Sequence, residues 1–401
     1  MNLHGAGNPH GQRLLQERKR DGRMRVVHFA PAVLPTQTHL FNSIAKLVDL
    51  HVVYLSEPTE RRDKQLWASF DDPWGAEPCY PYSYADMRSF SIGVLDMYVV
   101  GPGRLGVVLD ELDPDVVSVH SWGFQSISPI LWARKHRIPA VMYSESSRTS
   151  GLLRDPLSNA YRRWMLKGCS AYFTMGPAAS EYVLRLGAAP DRCVEACLPA
   201  ADFHPDSERS APVEEDRLRI LWVGRLVKRK RPEVAVEVFG RIARESDRAS
   251  LTIVGSGPLE ARVRAAAARV GGPIELVGRV EGQSLSSIYG KHDVLIVTAV
   301  RETWGLVVNE ALAHGLYVIS SDEVGAALAL LEEDTGRVVA AGDVEAFVGA
   351  LREFVANRPG RPRSASAEGR INECTAEAFA HKYLQMLDLV VTGRLSHKVT
   401  E

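Results

Sequence analysis

The feature that most constrains the fold is a repeated alternation of short apolar runs with amphipathic stretches. Runs such as VVHFAP and DVVSVH have the length and the valine content of buried strands, and stretches with helical periodicity lie between such runs. Strands that alternate with helices along a chain pack as a parallel sheet covered by helices. The alternation therefore predicts an α/β fold of doubly wound sheets.

A stretch rich in Pro and Asp divides the alternation into two series. The first series begins near Met24 and the second at Arg219, and a chain of 401 residues has the length of two or three domains. The predicted parts are a basic flexible tail (1–23), a first Rossmann-like domain (24–205), a linker (206–218), a second Rossmann-like domain (219–372) and a terminal helical segment (373–401).

Composition and charge exclude several functional classes. Lys and Arg total 48 against 49 Asp and Glu, so the chain lacks the basic excess that drives nucleic-acid binding. No run reaches the roughly 18 apolar residues that span a membrane, and the polar amino terminus lacks a signal-peptide core. The five scattered cysteines favour a reducing, cytoplasmic location. The basic run over 18–25 leaves peripheral membrane contact open.

The segment RETWGLVVNEALAHG, over 301–315, carries the most informative chemistry. A helix that begins near Gly305 would point free backbone N–H groups and its positive dipole end at a diphosphate. Glu302 would lie just before this helix, and Glu310 about 7 Å along it at a rise of about 1.5 Å per residue. One carboxylate can then meet a sugar and the other a ribose. A bare pair of glutamates, however, is more often a loop residue and a solvated helix face.

Two cations follow the first strand of the second series. Arg225 comes directly after the strand RILWVG, and Lys230 follows five residues later. Because the loops after parallel strands face the cleft of an α/β domain, both cations can neutralise a departing diphosphate. A run of Lys and Arg by itself is more often a solvated surface. The VGSGP turn nearby lacks the third glycine of a dinucleotide fingerprint, which disfavours a nicotinamide cofactor.

Together these segments resemble the carboxyl-terminal domain of family-4 retaining glycosyltransferases, which have the GT-B fold. The motifs that carry the resemblance are, in order, WVGRLVKRK, IVGSGPLEARV, LVGRVEGQSLSSIYGKHDVLIVTA, RETWGLVVNEALAHGLYVISSDEVGAA and TGRVVAAGD. The resemblance implies two Rossmann-like domains that face a central cleft, an acceptor-binding domain (24–205) and a nucleotide-sugar-binding domain (219–372). It also implies that the terminal helix (373–401) returns to the first domain. It also implies transfer of a hexose-type sugar from a nucleotide diphosphate sugar, with UDP favoured, to a hydroxyl acceptor. No metal or other cofactor is expected to be required.

The same resemblance implies roles for individual residues. Glu302 would contact hydroxyls of the donor sugar, Glu310 would bind the ribose, and Arg225 and Lys230 would clamp the diphosphate. His120, at the end of DVVSVH, would face the donor sugar, although such a histidine is as often structural. The predicted catalytic residues are Glu302, Arg225, Lys230 and His120. Backbone groups that would face the sugar and phosphates belong to Trp304, Gly305 and Leu306, and those that would border the base belong to Arg279 and Val280.

The first series is less similar to the family. Its loop APAVLPTQTH lacks the glycines that many members carry there, but a subset has a similar Pro-containing loop. Thr36 and His39 are therefore candidates for the acceptor pocket, together with Glu145 after a later strand. The aromatic stretch over 66–92 has weak periodicity, and its structure is left open. The identity of the acceptor, the donor sugar, the linkage and the oligomeric state also stay open.

Two other functional classes remain as alternatives. A sugar-nucleotide epimerase or a phosphorylase-like enzyme would share the two-lobed fold, and transfer to an acceptor would separate it from a transferase. A non-catalytic nucleotide-sugar binder would hold the donor without turnover. A hydrolase is disfavoured because Glu302 and Glu310 are expected to serve different parts of the donor rather than to flank one bond. The expected partners are a small-molecule donor and acceptor.

Overall fold

The protein folds into two lobes, each built on a parallel sheet. The computed structural model describes residues 22–55, 76–85, 87–92, 95–100, 102–120, 122–147, 156–200, 217–280, 282–357 and 365–392. The predicted tail (1–23) and linker (206–218) lie outside these residues, apart from the last two residues of each. No helix of the described part of the chain is long and apolar enough to cross a membrane.

The first lobe contains a seven-stranded sheet in the order β3-β2-β1-β6-β7-β8-β9, and β4 and β5 form a separate antiparallel pair. The strands are β1 (Arg25–Ala30), β2 (Asp49–Tyr54), β3 (Tyr82–Tyr84), β4 (Met87–Ile92), β5 (Leu95–Val100), β6 (Val116–His120), β7 (Ala140–Ser144), β8 (Ala171–Met175) and β9 (Cys193–Ala196). The helices are Pro35–Ala45, Pro102–Leu112, Ile127–His136, Pro156–Lys167 and Gly176–Leu186. Every pairing in the large sheet is parallel, so its strands end at a common edge.

The second lobe contains a six-stranded sheet in the order β12-β11-β10-β13-β14-β15. Its strands are β10 (Leu218–Val223), β11 (Ala249–Val254), β12 (Ile274–Gly278), β13 (Val294–Val297), β14 (Tyr317–Ser321) and β15 (Gly336–Val339). Its helices are Pro232–Ile242, Glu260–Val270, Gly282–Gly290, Val307–Ala313, Gly325–Leu330 and Val344–Ala356. The strand order reverses between β10 and β13, and this switch point is where open parallel sheets bind ligands.

Two helices at the carboxyl end carry the chain from the second lobe back to the first. The helix Ala365–Glu373 packs on the second lobe, where Arg370 pairs with Glu332 at 2.9 Å. The helix Ala376–Thr392 packs on β8, β9 and a helix of the first lobe. The sequence predicted a helix from residue 373, but Thr375 accepts a hydrogen bond from the Ala378 N–H and begins a new helix.

The two lobes share a continuous apolar core. Met175 and Leu198 of the first lobe and Trp304 and Val308 of the second belong to one cluster of buried side chains. The other face of each sheet has its own apolar cluster, under helices of the same lobe. The predicted α/β class with two Rossmann-like sheets is therefore confirmed, and the lobes meet through apolar packing.

The returning helix should contribute measurably to the stability of the first lobe. Phe379 is buried, and its ring centroid lies 5.2 Å from that of Phe173 on β8. Phe379→Ala should lower the free energy of unfolding in urea by about 3–5 kcal/mol, because it leaves a cavity beside the sheet. Val391→Ala on the same helix, where Val391 is exposed, should change it by less than about 0.5 kcal/mol. Equal effects of the two changes would contradict this packing role.

Candidate active site

The predicted donor-site residues lie on loops that follow strands of the second sheet. Arg225 and Lys230 follow β10, Glu302 follows the adjacent β13, and Arg279 follows β12. Because the sheet is parallel, these loops emerge at one edge, next to the switch point. The topology thus brings together charged residues that are distant in sequence.

Glu302 is the centre of a charged cluster. Its Oε2 lies 2.7 Å from Lys230 Nζ and 2.5 Å from Arg229 Nη1. The Glu302 side chain is only 10 % exposed, and a buried carboxylate keeps its charge when cations and hydrogen bonds replace water. The exposed Arg225 lies on the same loop but outside these ion pairs.

The loop that carries the cations is held by its backbone. The hydroxyl of Thr298, just after β13, lies 2.9 Å from the carbonyl oxygens of Lys230 and of Arg231 and shares its one proton between them. It also accepts a hydrogen bond from the Trp222 indole N–H at 3.0 Å. Arg231 has a φ of 51°, in the left-handed region that a side chain disfavours. Neighbouring strands therefore fix the position of Lys230.

Glu310 lies on the helix Val307–Ala313 and is bonded to the preceding helix. Its Oε2 accepts a hydrogen bond from the Tyr289 hydroxyl at 2.6 Å. Burial raises the pKa of Glu310, while the Tyr289 hydrogen bond and the positive charge of Lys230 oppose that rise. Lys230 therefore acts electrostatically on both glutamates.

Gly305 allows the chain to turn between Glu302 and the helix. It has a φ of 103°, and a Cβ at this position would lie 2.9 Å from Val324 Cγ1. The Val308 N–H bonds to the Gly305 carbonyl at 2.9 Å, so Gly305 and Leu306 form a turn. The sequence placed the start of the helix near Gly305, but the helix begins at Val307.

The other predicted donor residues differ in burial. Trp304 is buried, and its indole N–H donates to Asn309 Oδ1 at 2.9 Å. Leu306 and Val280 are partly buried, and Arg279 is exposed. Their predicted backbone contacts with the donor stay predictions.

His120 lies at the end of β6, beside Glu145. Its Nε2 is 3.7 Å from Glu145 Oε1, too far for a hydrogen bond, and its ring centroid is 4.3 Å from that of Tyr143. Burial lowers the pKa of His120 to about 4. Burial raises the pKa of Glu145. The hydrogen bond that the Tyr143 hydroxyl donates to Glu145 at 3.3 Å opposes that rise. His120 and Glu145 thus form a polar pair in which burial favours the neutral form of each side chain.

The acceptor-side candidates Thr36 and His39 lie in a helix rather than in a loop. The helix Pro35–Ala45 begins at a proline, whose fixed φ suits a first helical position. His39 is partly buried there, and the side chain of Thr36 falls outside the described residues. Their predicted contact with an acceptor stays a prediction.

Several residues at the site were not found by sequence reasoning. The sequence showed Arg229 only as part of a basic run. The short 3-10 helix Lys228–Lys230 determines which residues of that run reach Glu302. Tyr289, Thr298 and Asn309 carried no spacing signal, because their partners are set by tertiary packing. His28 stood out only as a histidine inside an apolar strand; its Nδ1 lies 2.8 Å from Ser118 Oγ, and burial lowers its pKa.

Comparison with known proteins identifies the family. Residues 13–198 match the model of a glycosyl transferase 4-like domain, and residues 204–371 match that of glycosyl transferases group 1. A crystal structure of a glycosyltransferase from Rickettsia africae has 14 % sequence identity and a TM-score of 0.69, over 92 % of this chain and 99 % of that chain. The chain belongs to the group 1 glycosyltransferases with a family-4-like first domain, and it has the GT-B fold.

Relatives with described activities differ in those activities. A Mycobacterium tuberculosis glycogen synthase is 26 % identical over 267 residues, which cover 63 % of this chain and 63 % of that enzyme. A GDP-mannose-dependent alpha-(1-6)-phosphatidylinositol dimannoside mannosyltransferase from the same species is 27 % identical over 303 residues, which cover 72 % of this chain and 77 % of that enzyme. The match therefore spans less than two thirds of the glycogen synthase.

The buried His120 should make the protein less stable as the pH falls below neutrality. In the unfolded chain a histidine takes up its proton near pH 6.5, whereas the folded His120 stays neutral down to about pH 4. Between these values the unfolded state binds more protons than the folded state does. The free energy of unfolding therefore decreases as the pH is lowered. His120→Gln should reduce that slope in urea unfolding measured from pH 7 to pH 4. An unchanged slope, or an NMR titration of His120 near pH 6.5, would contradict the assignment.

Proposed function

We propose that the protein transfers a hexose-type sugar, with retention of configuration, from a nucleotide diphosphate sugar to a hydroxyl acceptor. The observation that carries this proposal is the interaction of one cation, Lys230, with both glutamates. Lys230 pairs with Glu302 at 2.7 Å, and its charge also acts on Glu310. In such a donor a diphosphate joins a sugar to a ribose, and we assign Glu302 to the sugar, Lys230 to the diphosphate and Glu310 to the ribose.

Donor binding would exchange one set of ion pairs for another. The diphosphate would replace the Glu302 carboxylate as the partner of Lys230 and Arg229, and Glu302 would then accept hydrogen bonds from sugar hydroxyls. Arg225, on the same loop, would add a further cation at the diphosphate. In this arrangement side-chain cations supply the positive charge that stabilises the leaving group, so no metal is required.

The first lobe would complete the site from the other side of the cleft. His120 lies at the end of β6 with an imidazole that burial keeps neutral at pH 7, so one ring nitrogen can donate and the other accept a hydrogen bond. In retention without a protein nucleophile, the leaving phosphate accepts the proton of the acceptor hydroxyl on the face where the new bond forms. The residues of both lobes would position the reactants for this step.

UDP is the nucleotide we favour, on the basis of the family resemblance. An Anabaena protein solved with UDP and glucose has the same fold, with a TM-score of 0.64 and 12 % identity. The mannosyltransferase relative, by contrast, is described as GDP-mannose-dependent. Direct binding measurements must therefore include several bases.

Calorimetric titration with UDP, GDP, ADP and TDP, without added metal, tests the donor site. We expect one nucleotide, UDP, to bind best, and Glu310→Ala to weaken it at least about tenfold, because a charged hydrogen bond is worth about 1.5–3 kcal/mol. Glu353→Ala, at an exposed position of the same lobe, is the matched control and should bind like wild type. Absence of binding, or equal binding by Glu310→Ala, would overturn the donor site. Preference for GDP would overturn only the choice of base.

The role of the cations can be tested by turnover of the donor that the titration selects. Lys230→Ala should lower kcat by about 10²-fold, because one preorganised group that stabilises developing charge is worth about that much. Lys228→Ala is the matched control, since Lys228 is exposed on the same loop, and it should stay within about twofold of wild type. Equal losses in both variants would contradict the clamp. Sugar transfer to an acceptor would distinguish a transferase from an epimerase or a non-catalytic binder.

A further inference from the structure

The side chain of Asn309 joins the donor loop, residues 302–306, to the first lobe. Its Oδ1 accepts a hydrogen bond from the Trp304 indole N–H at 2.9 Å, and its Nδ2 donates to the Leu198 carbonyl oxygen at 3.1 Å. Asn309 is buried, with 5 % of its surface exposed. It lies one residue before Glu310, so one amide connects the loop, the helix Val307–Ala313 and the first lobe.

The Trp304 side chain is itself held between the lobes. Its ring packs over Gly176, the first residue of a first-lobe helix, where a Cβ would lie 2.8 Å from the ring atom Cζ3. The Trp304 carbonyl accepts a hydrogen bond from the Ala326 N–H at 2.9 Å, which fixes its backbone within the second lobe. Trp304 therefore has its backbone in one lobe and its ring against the other.

Asn309 also lies close to both connections between the lobes. Leu198 follows β9, where the chain leaves the first sheet for the second lobe. The helix Ala365–Glu373, which precedes the return to the first lobe, packs against the helix Val307–Ala313 that carries Asn309. Rotation of one lobe changes distances least near the connecting segments, so a hydrogen bond placed here can persist while the cleft opens and closes.

We propose that Asn309 is a positioning residue that fixes the donor loop, residues 302–306, to the first lobe at the pivot of the two lobes. A donor sugar held by this loop then keeps its register with first-lobe groups such as His120. The catalytic consequence rests on the proposed function, but the link between the lobes does not. An amide suits this position because its oxygen accepts from the indole N–H while its nitrogen donates to the carbonyl oxygen.

Two substitutions separate the two hydrogen bonds of Asn309. Asn309→Leu removes both at a similar volume, and Asn309→Asp keeps the acceptor for Trp304 but, as a carboxylate, cannot donate to Leu198. We expect each to lower kcat at least about tenfold, since a displacement of about 1 Å in a reacting group can cost about 10²-fold. The dissociation constant of the nucleotide diphosphate should change less than about threefold, because Glu310, Tyr289 and Lys230 remain.

Loss of the indole donor gives a third variant with a matched control. Trp304→Phe keeps an aromatic ring against Gly176 but loses the hydrogen bond to Asn309, so it should also lower kcat. Trp122→Phe makes the same chemical change in a buried tryptophan whose indole N–H bonds to Ser144 Oγ at 3.3 Å, within the first lobe. We expect Trp122→Phe to leave kcat within about twofold of wild type, because its lost bond joins two residues of one lobe.

Hydrogen exchange of the unliganded protein tests the link without any donor. Asn309→Leu should speed exchange of the amides at 302–306 and at the start of the helix Gly176–Leu186, on both sides of the interface. If Asn309→Leu speeds this exchange but the wild-type protein binds no nucleotide, the link is supported and the proposed function is overturned. If Asn309→Leu has the same exchange rates and the same kcat as Trp122→Phe, the link is overturned. A fall in kcat that is matched by loss of nucleotide affinity would show a damaged donor site and overturn the positioning role.

Discussion

The ion pairs of Glu302 with Lys230 and Arg229 are the interaction on which the second lobe's site depends. A carboxylate with 10 % of its side chain exposed needs positive partners, and the loops after β10 and β13 must approach closely to supply them. Thr298 fixes that approach through the backbone of the cation loop. The same cations that stabilise Glu302 in the unliganded protein are those that a diphosphate would engage. In the proposed function, stability and donor affinity therefore use the same charges.

The interface between the lobes extends this constraint to the first domain. Trp304 and the helix that carries Glu310 lie in an apolar core that both sheets share, and the returning helix closes that core from the first lobe. Buried hydrogen bonds within such a core are specific, since an unpaired partner would cost about 1–3 kcal/mol. The donor loop is thus positioned by residues of both lobes.

Burial has a different effect at the edge of the first sheet. His120 lies at the end of β6, Glu145 follows the adjacent β7, and His28 lies within the neighbouring β1. Burial shifts the pKa of each toward the neutral form. Neutral groups at this edge can form hydrogen bonds with hydroxyls without adding charge opposite the proposed phosphate site. The two lobes therefore contribute different chemistry, with charge concentrated in the second and neutral polar groups in the first.

The sequence by itself determined the α/β class, the two-lobed architecture and the family, because strand and helix periodicity and motif spacing are local properties of the chain. The tertiary structure alone decided which cations meet Glu302, since Arg229 and Lys230 are more than 70 residues away and Arg225 on the same loop stays outside. It also decided that Asn309 bonds to Leu198, 111 residues earlier. Such partners depend on strand order and lobe packing, which no local pattern encodes.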